Sequence, residues 1–382
     1  MQTRLLTSLA AIDPGSWNAL VGEDDPFVEH AFLSLLEESG SVGRGTGWVP
    51  MHVAVYEGEA LVAAIPAYVK DDSWGEFVFD FQWARAAQQA GVRYYPKLVA
   101  MVPFTPATGR RLLIKEGVDR AAATGALARG LIEAASAARA SSVHVHYLAK
   151  DELDALVATG LFTARTSVQF HWRNEGYRDF EHYLEAFRSP ARKQVRRERR
   201  VVRESGFEVR VKEGRELSAS EWHTLDVLYR LNCARHGSYP YLNERFFAAM
   251  PERLAERVVA VLAYKDGEPV AGSLNFEKGA HLYGRYWGTT DDAEMLHFEC
   301  CYYAPIERAI ARGVRRFEAG AQGHHKLKRG LMPSEIHSAV WIRDPRLSRA
   351  ILDFLPREGA AVREEIAMLA AEGPFKRGGE TG

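Results

Sequence analysis

The sequence contains two successive passages in which helix patterns and strand patterns alternate. The first passage has helix patterns at 27–39 and 120–139 and strand patterns at 51–56, 61–68, 76–81 and 142–147. The second passage has helix patterns at 189–205, 220–236 and 294–312 and strand patterns at 207–212, 258–264, 270–277 and 281–289. Such alternation predicts the α/β class with mixed sheets in both passages.

The length of 382 residues suits two domains, because single domains usually hold about 100–200 residues. We expect an N-terminal domain at 1–168 and a C-terminal domain at 169–382, which contains a basic helix at 189–205 and a C-terminal helix. The order of elements resembles that of acetyltransferase-type domains. We therefore predict two tandem GNAT-like domains of the acyl-CoA N-acyltransferase type, a fold analogy that does not fix the activity.

Composition restricts the compartment and the partners. The three cysteines, Cys233, Cys300 and Cys301, cannot build a disulfide framework, which favours a reducing compartment. No run of about 18 apolar residues is present, and the start lacks the apolar core of a secretory signal. We therefore expect a cytoplasmic protein without integral membrane association. The net charge of −1 argues against a nucleic-acid coat protein but allows a local basic patch.

The segment HLYGRYWGTT, residues 281–290, combines an arginine with aromatic side chains on one predicted strand. Because side chains alternate along a strand, Tyr283, Arg285 and Trp287 are expected to share a face. There the arginine could bind an anion while the rings stack on a substrate; an arginine packed over an aromatic core is the structural alternative. The helix predicted next carries His297 and Glu299 near its start.

The segment EAGAQGHHKLKRG, residues 318–330, is the densest polar cluster in the chain and follows a predicted strand. Its glycines permit unusual backbone angles and the close approach of a ligand. Its polar side chains offer hydrogen-bond donors, a base near neutral pH and positive charge, although a solvated loop would look similar. These side chains are Gln322, His324, His325, Lys326, Lys328 and Arg329.

No metal site is expected. Adjacent histidines without a carboxylate partner are a poor ligand set, and His144 and His146 meet the same objection, so we interpret that pair as structural. The neighbouring cysteines Cys300 and Cys301 are interpreted as small buried side chains, because no activating base is identifiable from spacing.

Residues 189–205, SPARKQVRRERRVVRES, form a strongly basic helix pattern. A stripe of Ala191, Val195 and Val202 should face the protein, which leaves the basic side chains to hold phosphates of RNA or of coenzyme A. A solvated charged helix is the alternative. The stretch GTTDDAEM, residues 288–295, lacks the glycine-rich turn that holds a pyrophosphate, which weakens coenzyme A as the donor. The side chains assigned to donor phosphates are Arg192, Lys193, Arg196 and Arg197.

Residues 73–113 are rich in aromatic side chains, and the prolines around Phe104 suggest a rigid, extended wall. We interpret this stretch as the lining of a substrate groove, with Trp83, Tyr95 and Phe104 as contact residues. Core packing is the alternative for these rings.

Several long motifs, in order, are similar to those of the FemAB-like "peptidogalycan biosynthesis" family, over roughly residues 27–342. They are GEFVFDFQWA, YYPKL, PFTPATGRRLL, SPARKQVRRERR, LYGRYWG, LHFECCYY and GAQGHHKLKRG. The resemblance implies a tandem GNAT-like acyltransferase. Wider relatives, the Fem ligases, transfer amino acids from aminoacyl-tRNA to an amine, and other GNAT relatives use acyl-CoA.

The chain departs from the family pattern at three positions. His324 stands where the family usually has glutamate, Leu331 replaces a phenylalanine, and Val340 replaces a histidine. The loss of a carboxylate and a histidine suggests a changed substrate or a changed proton path.

The predicted reaction is attack of an amine on an activated acyl ester, which gives an amide. His325 is predicted to act as base or proton relay, Lys326 and Arg285 to stabilise charge, and Glu299 to orient or share the proton. Tyr283, Trp287, His297 and the remaining polar side chains of the 318–330 segment would contact the substrates.

The co-substrate implied is aminoacyl-tRNA, with acyl-CoA as the alternative, and the acceptor is an amine-bearing peptide or small metabolite. No bound cofactor is required. A non-catalytic member of the family that binds a ligand or RNA is the competing class.

Overall fold

The structure, a computed structural model, describes residues 1–291, 293–321 and 323–376. The chain divides into two compact units. Unit 1 comprises residues 1–168 and 335–364, and unit 2 comprises residues 169–334 and the described residues from 365 onward. The first passage between units falls after Val168, and the return of residues 335–364 to unit 1 is a feature that the sequence patterns did not indicate.

Unit 1 builds two sheets and the helices packed on them. Its helices are α1 (Pro14–Asn18), α2 (His30–Glu38), α3 (Phe81–Gln89), α4 (Arg120–Ala137) and α5 (Lys150–Ala158). Its strands are β1 (Gln2–Leu6), β2 (Val49–Pro50), β3 (His52–Glu57), β4 (Ala60–Ile65), β5 (Tyr68–Lys70), β6 (Lys97–Ala100), β7 (Leu113–Ile114) and β8 (Ser142–Leu148). Strands β1, β3, β4 and β7 pair antiparallel in that order.

Unit 2 is built around strands of mixed direction. Its helices are α6 (Phe180–Glu185), α7 (Ser189–Glu204), α8 (Ala219–Arg235), α9 (Glu244–Arg253), α10 (Leu296–Phe298) and α11 (Ala304–Ala311). Its strands are β10 (Glu208–Glu213), β11 (Val258–Lys265), β12 (Glu268–Lys278), β13 (His281–Thr289) and β14 (Arg316–Glu318). The chain passes between the units within β9 (Thr163–Arg173), β15 (Met332–Ile342) and α12 (Pro345–Glu372).

The larger sheet of unit 1 has the order β15-β8-β6-β5-β2, in which β6 and β8 run parallel. One face is apolar, because Leu98 and Val145 join a core that includes residues of α4. The opposite face is polar: Lys70 pairs with Lys97 across β5 and β6, and His144 of β8 lies opposite Val99 of β6. The segment 71–80 covers this polar face through hydrogen bonds to Lys97 and Lys70.

The sheet of unit 2 has the order β10-β11-β12-β13-β14-β9, with β13 and β14 parallel and the other pairs antiparallel. Helix α8 packs on one face, where the Tyr229 ring lies 4.8 Å from the Tyr286 ring. The segment from α10 to α11 packs on the other face, where Ser273 Oγ donates to the Cys300 carbonyl at 2.7 Å.

A β-bulge in β13 makes the predicted alternation wrong. Opposite β12, Gly284 pairs with Asn275 but Tyr286 pairs with Leu274, so Arg285 is an extra residue in the ladder. An extra residue reverses the alternation beyond it. Tyr283 therefore lies on the α8 face with Tyr286, whereas Trp287 lies on the opposite face, towards α10.

Other local differences have identifiable causes. The helix predicted over 294–312 is divided into α10, a π-helical turn at Glu299–Tyr303 and α11, and Pro305 occupies the first turn of α11, where no backbone N–H is needed. The strand predicted at 76–81 is a loop that leads into α3, because its carboxylates bind Lys97 instead of facing solvent.

Candidate active site

The 318–330 segment forms a compact turn after strand β14. The chain leaves Glu318, passes Gly320 and Gly323, and forms a short 3-10 helix over His324–Arg329. Both glycines have positive φ, 80° and 116°. A Cβ on Gly323 would lie only 2.5 Å from Cε1 of His325, so the histidine ring folds directly over this glycine. The predicted need for glycine here thus has two causes, the backbone angle and the contact with His325.

His325 lies at the surface of this turn, within a cluster of rings. Its Nε2 is 2.8 Å from the Tyr302 hydroxyl, and the rings of His297 and Phe298 are each 5.8 Å away. Partial burial, with the charges of Arg329 and Lys326 adding to it, lowers the pKa of His325. The imidazole is therefore neutral at pH 7. In the tautomer whose Nε2–H donates to Tyr302, Nδ1 is free to accept a proton.

Lys326 is buried beside the histidine, with 2% of its surface exposed. Its Nζ donates to the Gly320 carbonyl at 2.7 Å, and in the described part of the chain no carboxylate lies within ion-pair distance of it. Burial without a counter-charge disfavours the ammonium form and lowers the pKa of Lys326 to about 7. This amine can therefore change its charge in the physiological pH range.

Arg329, predicted to contact substrate, has internal partners instead. Its Nη2 lies 2.9 Å from both carboxylate oxygens of Glu198 on α7, and its Nη1 donates to the His325 carbonyl at 2.7 Å. The guanidinium also stacks 3.3 Å above the Phe298 ring. Because Arg329 and Glu198 are both almost fully buried, the pair ties the His325 backbone to α7 rather than binding a ligand.

Glu299, predicted to orient the base, lies in another set of contacts. Its carboxylate accepts hydrogen bonds from Nε and Nη2 of Arg199, the latter at 2.8 Å, and Arg199 also binds Glu307. Burial raises the pKa of Glu299, although Arg199 opposes the shift. These contacts join α7 to the π-helical turn, and no described hydrogen bond links Glu299 to His325.

Strand β13 divides its predicted site residues between two faces. The Trp287 ring lies 5.3 Å from the His297 ring, which brings both into the ring cluster of His325. Burial lowers the pKa of His297 to about 4, so this imidazole is neutral at pH 7. The Arg285 guanidinium lies 5.2 Å from the centre of the Tyr286 ring, and Tyr283 is fully buried.

The other predicted side chains of the turn point outwards. His324 and Lys328 are exposed, and the His324 ring lies 5.8 Å from that of Phe170. Gln322 lies outside the described residues.

Helix α7 has the predicted amphipathic arrangement. Val195 and Val202 are buried, and Glu198 is buried between them through its pair with Arg329. The outer surface, here called the α7 cationic face, consists of Arg192, Lys193, Arg196, Arg197, Arg200 and Arg203. Within this face Arg196 pairs with the exposed Glu181, a contact that solvent weakens.

The predicted groove lining of unit 1 is largely core. Trp83 is 5% exposed and lies in an apolar cluster beneath the Arg165 guanidinium, and Phe104 is 2% exposed against Trp48. Tyr95 is half-buried, and its hydroxyl is 2.7 Å from Ser73 Oγ. The burial of Trp83 and Phe104 favours core packing, the alternative for these rings, over groove contact.

The structural interpretation of His144 and His146 agrees with their burial against Ser142 and Ser338. In the described ranges, no group of three or more His, Cys, Asp or Glu side chains could hold a metal ion. Among the helices described, none is both long enough and apolar enough to cross a bilayer.

Sequence reasoning missed Tyr302, Glu198 and the double role of Gly323. Tyr302 and Glu198 contact the 318–330 turn through tertiary contacts, which residue spacing within one segment cannot predict. Gly323 carried a usable signal, because a glycine two residues before a histidine allows the ring to fold back over the backbone.

Comparison with solved structures shows the fold. FemX is 12% identical with a TM-score of 0.55, and the alignment covers 92% of this chain and 100% of FemX. The C-terminal domain of a protein named as a lysylphosphatidylglycerol synthetase from Agrobacterium fabrum is 12% identical with a TM-score of 0.56. The alignment covers 90% of this chain and 94% of that domain. L-PGS from Bacillus licheniformis is 12% identical with a TM-score of 0.51, and the alignment covers 88% of this chain and 98% of L-PGS. The predicted α/β fold class is thus confirmed.

No curated protein sequence matches the chain significantly. The profile of the FemAB-like family, described as "Peptidogalycan biosysnthesis/recognition", matches residues 8–377. Together with the fold, this match supports an acyltransferase. The chain belongs to the FemAB-like family.

Proposed function

We propose that the chain transfers an aminoacyl group from aminoacyl-tRNA to an amine of a peptide or small metabolite. The observation that carries the proposal is the pairing of His325 and Lys326 on one short turn. The first is an exposed neutral imidazole, and the second is a buried amine whose pKa is lowered to about 7. Both suit a reaction that removes a proton and develops negative charge near pH 7.

In the proposed step, the acceptor nitrogen attacks the carbonyl carbon of the ester, and a C–N bond forms. Nδ1 of His325 takes a proton from this nitrogen and returns it to the ribose oxygen as the C–O bond breaks. Water is not consumed, and the products are an amide and free tRNA. Tyr302 fixes the imidazole through the 2.8 Å hydrogen bond at Nε2.

Lys326 is proposed as the charge stabiliser of this step. An oxyanion that develops nearby favours the ammonium form, since an opposite charge raises the pKa of a lysine. A lysine that is partly neutral at rest can therefore gain charge as the transition state is approached. Arg285 receives no role in this step, because its described ring contact is with Tyr286 on the α8 side.

The α7 cationic face is proposed to hold the phosphates of the donor. Lys193 and Arg197 are exposed and have no acidic partner within the described ranges. The same helix carries Glu198, which holds the His325 backbone through Arg329. Donor binding on the outer surface of α7 and placement of the base thus share one rigid helix.

The donor is tested by offering purified protein either charged total tRNA or a panel of acyl-CoA thioesters, with mixed amines, and detecting amides by mass spectrometry. Products with charged tRNA alone are expected. Products with acyl-CoA alone would instead establish an acyl-CoA N-acyltransferase, and no product with either would favour a non-catalytic member.

Binding supplies a second readout. The double variant Arg196→Ala/Arg197→Ala should weaken tRNA binding and lower the slope of log affinity against log salt by about 1–2. The matched control Arg349→Ala/Arg357→Ala removes two exposed arginines from α12 and should change neither quantity. Equal effects of both pairs would contradict a donor site on α7.

A further inference from the structure

Three large aromatic side chains of unit 1 stand in solvent and touch one another. Trp74, Phe79 and Phe81 are 62%, 52% and 41% exposed. The Trp74 and Phe81 rings are 5.6 Å apart, and the Phe79 and Phe81 rings are 6.0 Å apart and stacked. Single exposed apolar residues are common, but a contiguous exposed cluster usually marks a binding surface. These three residues are called the aromatic platform.

The segment that carries the aromatic platform is fixed from below by side chains. Lys97 Nζ, fully buried, donates to Ser73 Oγ at 2.8 Å and to Glu76 Oε2 at 2.9 Å, and it also binds Asp80. Buried ion pairs carry a large desolvation cost and add little net stability compared with apolar packing. The network instead fixes the conformation of residues 73–80, because one lysine bonds to three side chains of this segment.

The backbone of the segment is fixed as well. Lys70 Nζ donates to the Trp74 carbonyl at 3.0 Å, and Arg165 Nη2 donates to the Phe79 carbonyl at 2.9 Å. Tyr147 donates to the Glu76 carbonyl at 3.0 Å. Because these anchors lie on the protein side of the segment, the rings project outwards and cannot turn inwards without breaking them.

The segment also contains backbone strain. Phe77 has a φ of 59°, a left-handed conformation that a bulky side chain rarely adopts. Gly75 has a φ of 79°, and a Cβ there would lie 2.9 Å from the Phe104 ring. Strain of this kind persists only where the surroundings impose it, and it is concentrated at ligand sites.

The exposed side chains next to the aromatic platform in the sequence carry mixed charge. Asp71 and Gln82 are exposed, the Asp72 side chain is 47% exposed, and Arg85 is the basic side chain exposed on α3. This mixture lacks the cationic groove that phosphate chains require. The face of an aromatic ring is electronegative and attracts the partly positive C–H bonds of a pyranose, while sugar hydroxyls can bond to Asp71 or Gln82.

We propose that the aromatic platform binds the pyranose rings of a neutral saccharide chain. The assignment does not depend on the transfer reaction proposed for unit 2, because it concerns residues of unit 1 alone. The family description names peptidoglycan, whose strands are made of such rings, and this agrees with the saccharide class.

The test is a titration of the full chain with chitotetraose, monitored by calorimetry and by tryptophan fluorescence, with Trp74→Ala identifying the contribution of Trp74. Saturable binding is expected. Trp74→Ala and Phe81→Ala should each raise the dissociation constant about tenfold, the effect of losing one ring contact, and Trp74→Phe should recover part of it. The control Tyr239→Ala removes a ring that is 81% exposed in unit 2 and should leave binding unchanged.

Three results would overturn the proposal. They are absence of saturation by chitotetraose in the wild type, binding that Trp74→Ala leaves intact, and Trp74-dependent binding to phosphatidylcholine vesicles or to a second copy of the chain in place of the sugar. Phe79→Ala, compared by circular dichroism and thermal unfolding, shows whether a ring of the platform can be removed without loss of the fold.

Discussion

Two buried lysines, one in each unit, have opposite electrostatic surroundings. Lys97 of unit 1 is fully buried, and burial alone would lower its pKa, but Glu76 and Asp80 outweigh that effect and raise it. Lys326 of unit 2 is also buried, but among the described residues its ammonium group bonds to the Gly320 carbonyl and to no carboxylate, and its pKa falls to about 7. At Lys97 the two carboxylates stabilise a permanent charge that fixes a loop, whereas at Lys326 burial disfavours the ammonium form and its charge can change.

The largest effect on turnover is expected at His325, the neighbour of Lys326 in unit 2. His325→Ala should lower turnover roughly 10²–10⁴-fold, the usual contribution of a general base. The free energy of unfolding should change little, because the ring is exposed on a surface turn. The measurement is steady-state turnover with urea unfolding alongside. His236→Ala, which removes another exposed histidine of unit 2, should retain full turnover, and equal loss in both variants would contradict the assignment.

The contrast between the lysines should be clearest in stability. Lys97→Met leaves Glu76 and Asp80 buried without their cation and should lower the free energy of unfolding by about 3–5 kcal/mol. Lys326→Met loses one hydrogen bond to a carbonyl, worth about 1 kcal/mol, but it also removes an amine whose charged form is destabilised by burial, so at pH 7 it should cost less than this or stabilise the fold. Urea unfolding of the two variants at pH 7 measures the difference, and equal losses would remove the distinction.

The pH dependence of stability should separate the two lysines further. The folded pKa of Lys326, about 7, lies below the unfolded value of about 10.4, so the unfolded chain binds more protons between these values. Stability relative to Lys326→Met should therefore rise with pH over this window, by up to about 1.4 kcal/mol per pH unit.

Lys97 has the opposite sign. Its folded pKa is raised, so its contribution is complete below the unfolded pKa and is lost only above it. The stability difference between wild type and Lys97→Met should thus be flat from pH 7 to pH 10. A stability difference that rises with pH for Lys97→Met, or one that stays flat for Lys326→Met, would contradict the proposed contrast between the two lysines.

A smaller effect is expected at Glu198, which connects α7 to the active-site turn. Glu198→Gln weakens the hold on Arg329 and so loosens the His325 backbone. Turnover should fall about tenfold while KM for the acceptor stays nearly constant, since a charged hydrogen bond contributes about 1.5–3 kcal/mol. Glu204→Gln, an exposed acid on the same helix, is the control. A rise in KM without loss of turnover would show that Glu198 acts on binding instead.

The sequence predicted the helices and strands that depend on local periodicity. Helix α7 occupies Ser189–Glu204 where 189–205 was expected, and its apolar stripe is buried as predicted. Helix α8 and strands β11, β12 and β13 likewise follow their patterns. These elements carry their hydrophobic period within one segment, which is the signal that a sequence displays directly.

The predictions that differ from the structure concern features set by residues distant in the sequence. The bulge at Arg285 depends on the register with β12, so the alternation of β13 alone could not reveal it. Glu299 and Arg329 were assigned to the site by their charge. Each instead forms an ion pair with a residue of α7 that is 100 or more positions away in the sequence. Trp83 and Phe104 were assigned to a groove, whereas the exposed rings of the same stretch are Trp74, Phe79 and Phe81.

The ionisation of Lys326 is the quantity on which the proposed mechanism depends most directly. Nitrogen-15 labelling of lysine side chains, with Lys326→Met used to assign the resonance, allows its ε-amine to be titrated by NMR in the free protein. We expect a midpoint near pH 7 for Lys326 and no titration of Lys97 below pH 10. A midpoint for Lys326 near the ordinary lysine value of about 10.4 would contradict the proposed mechanism.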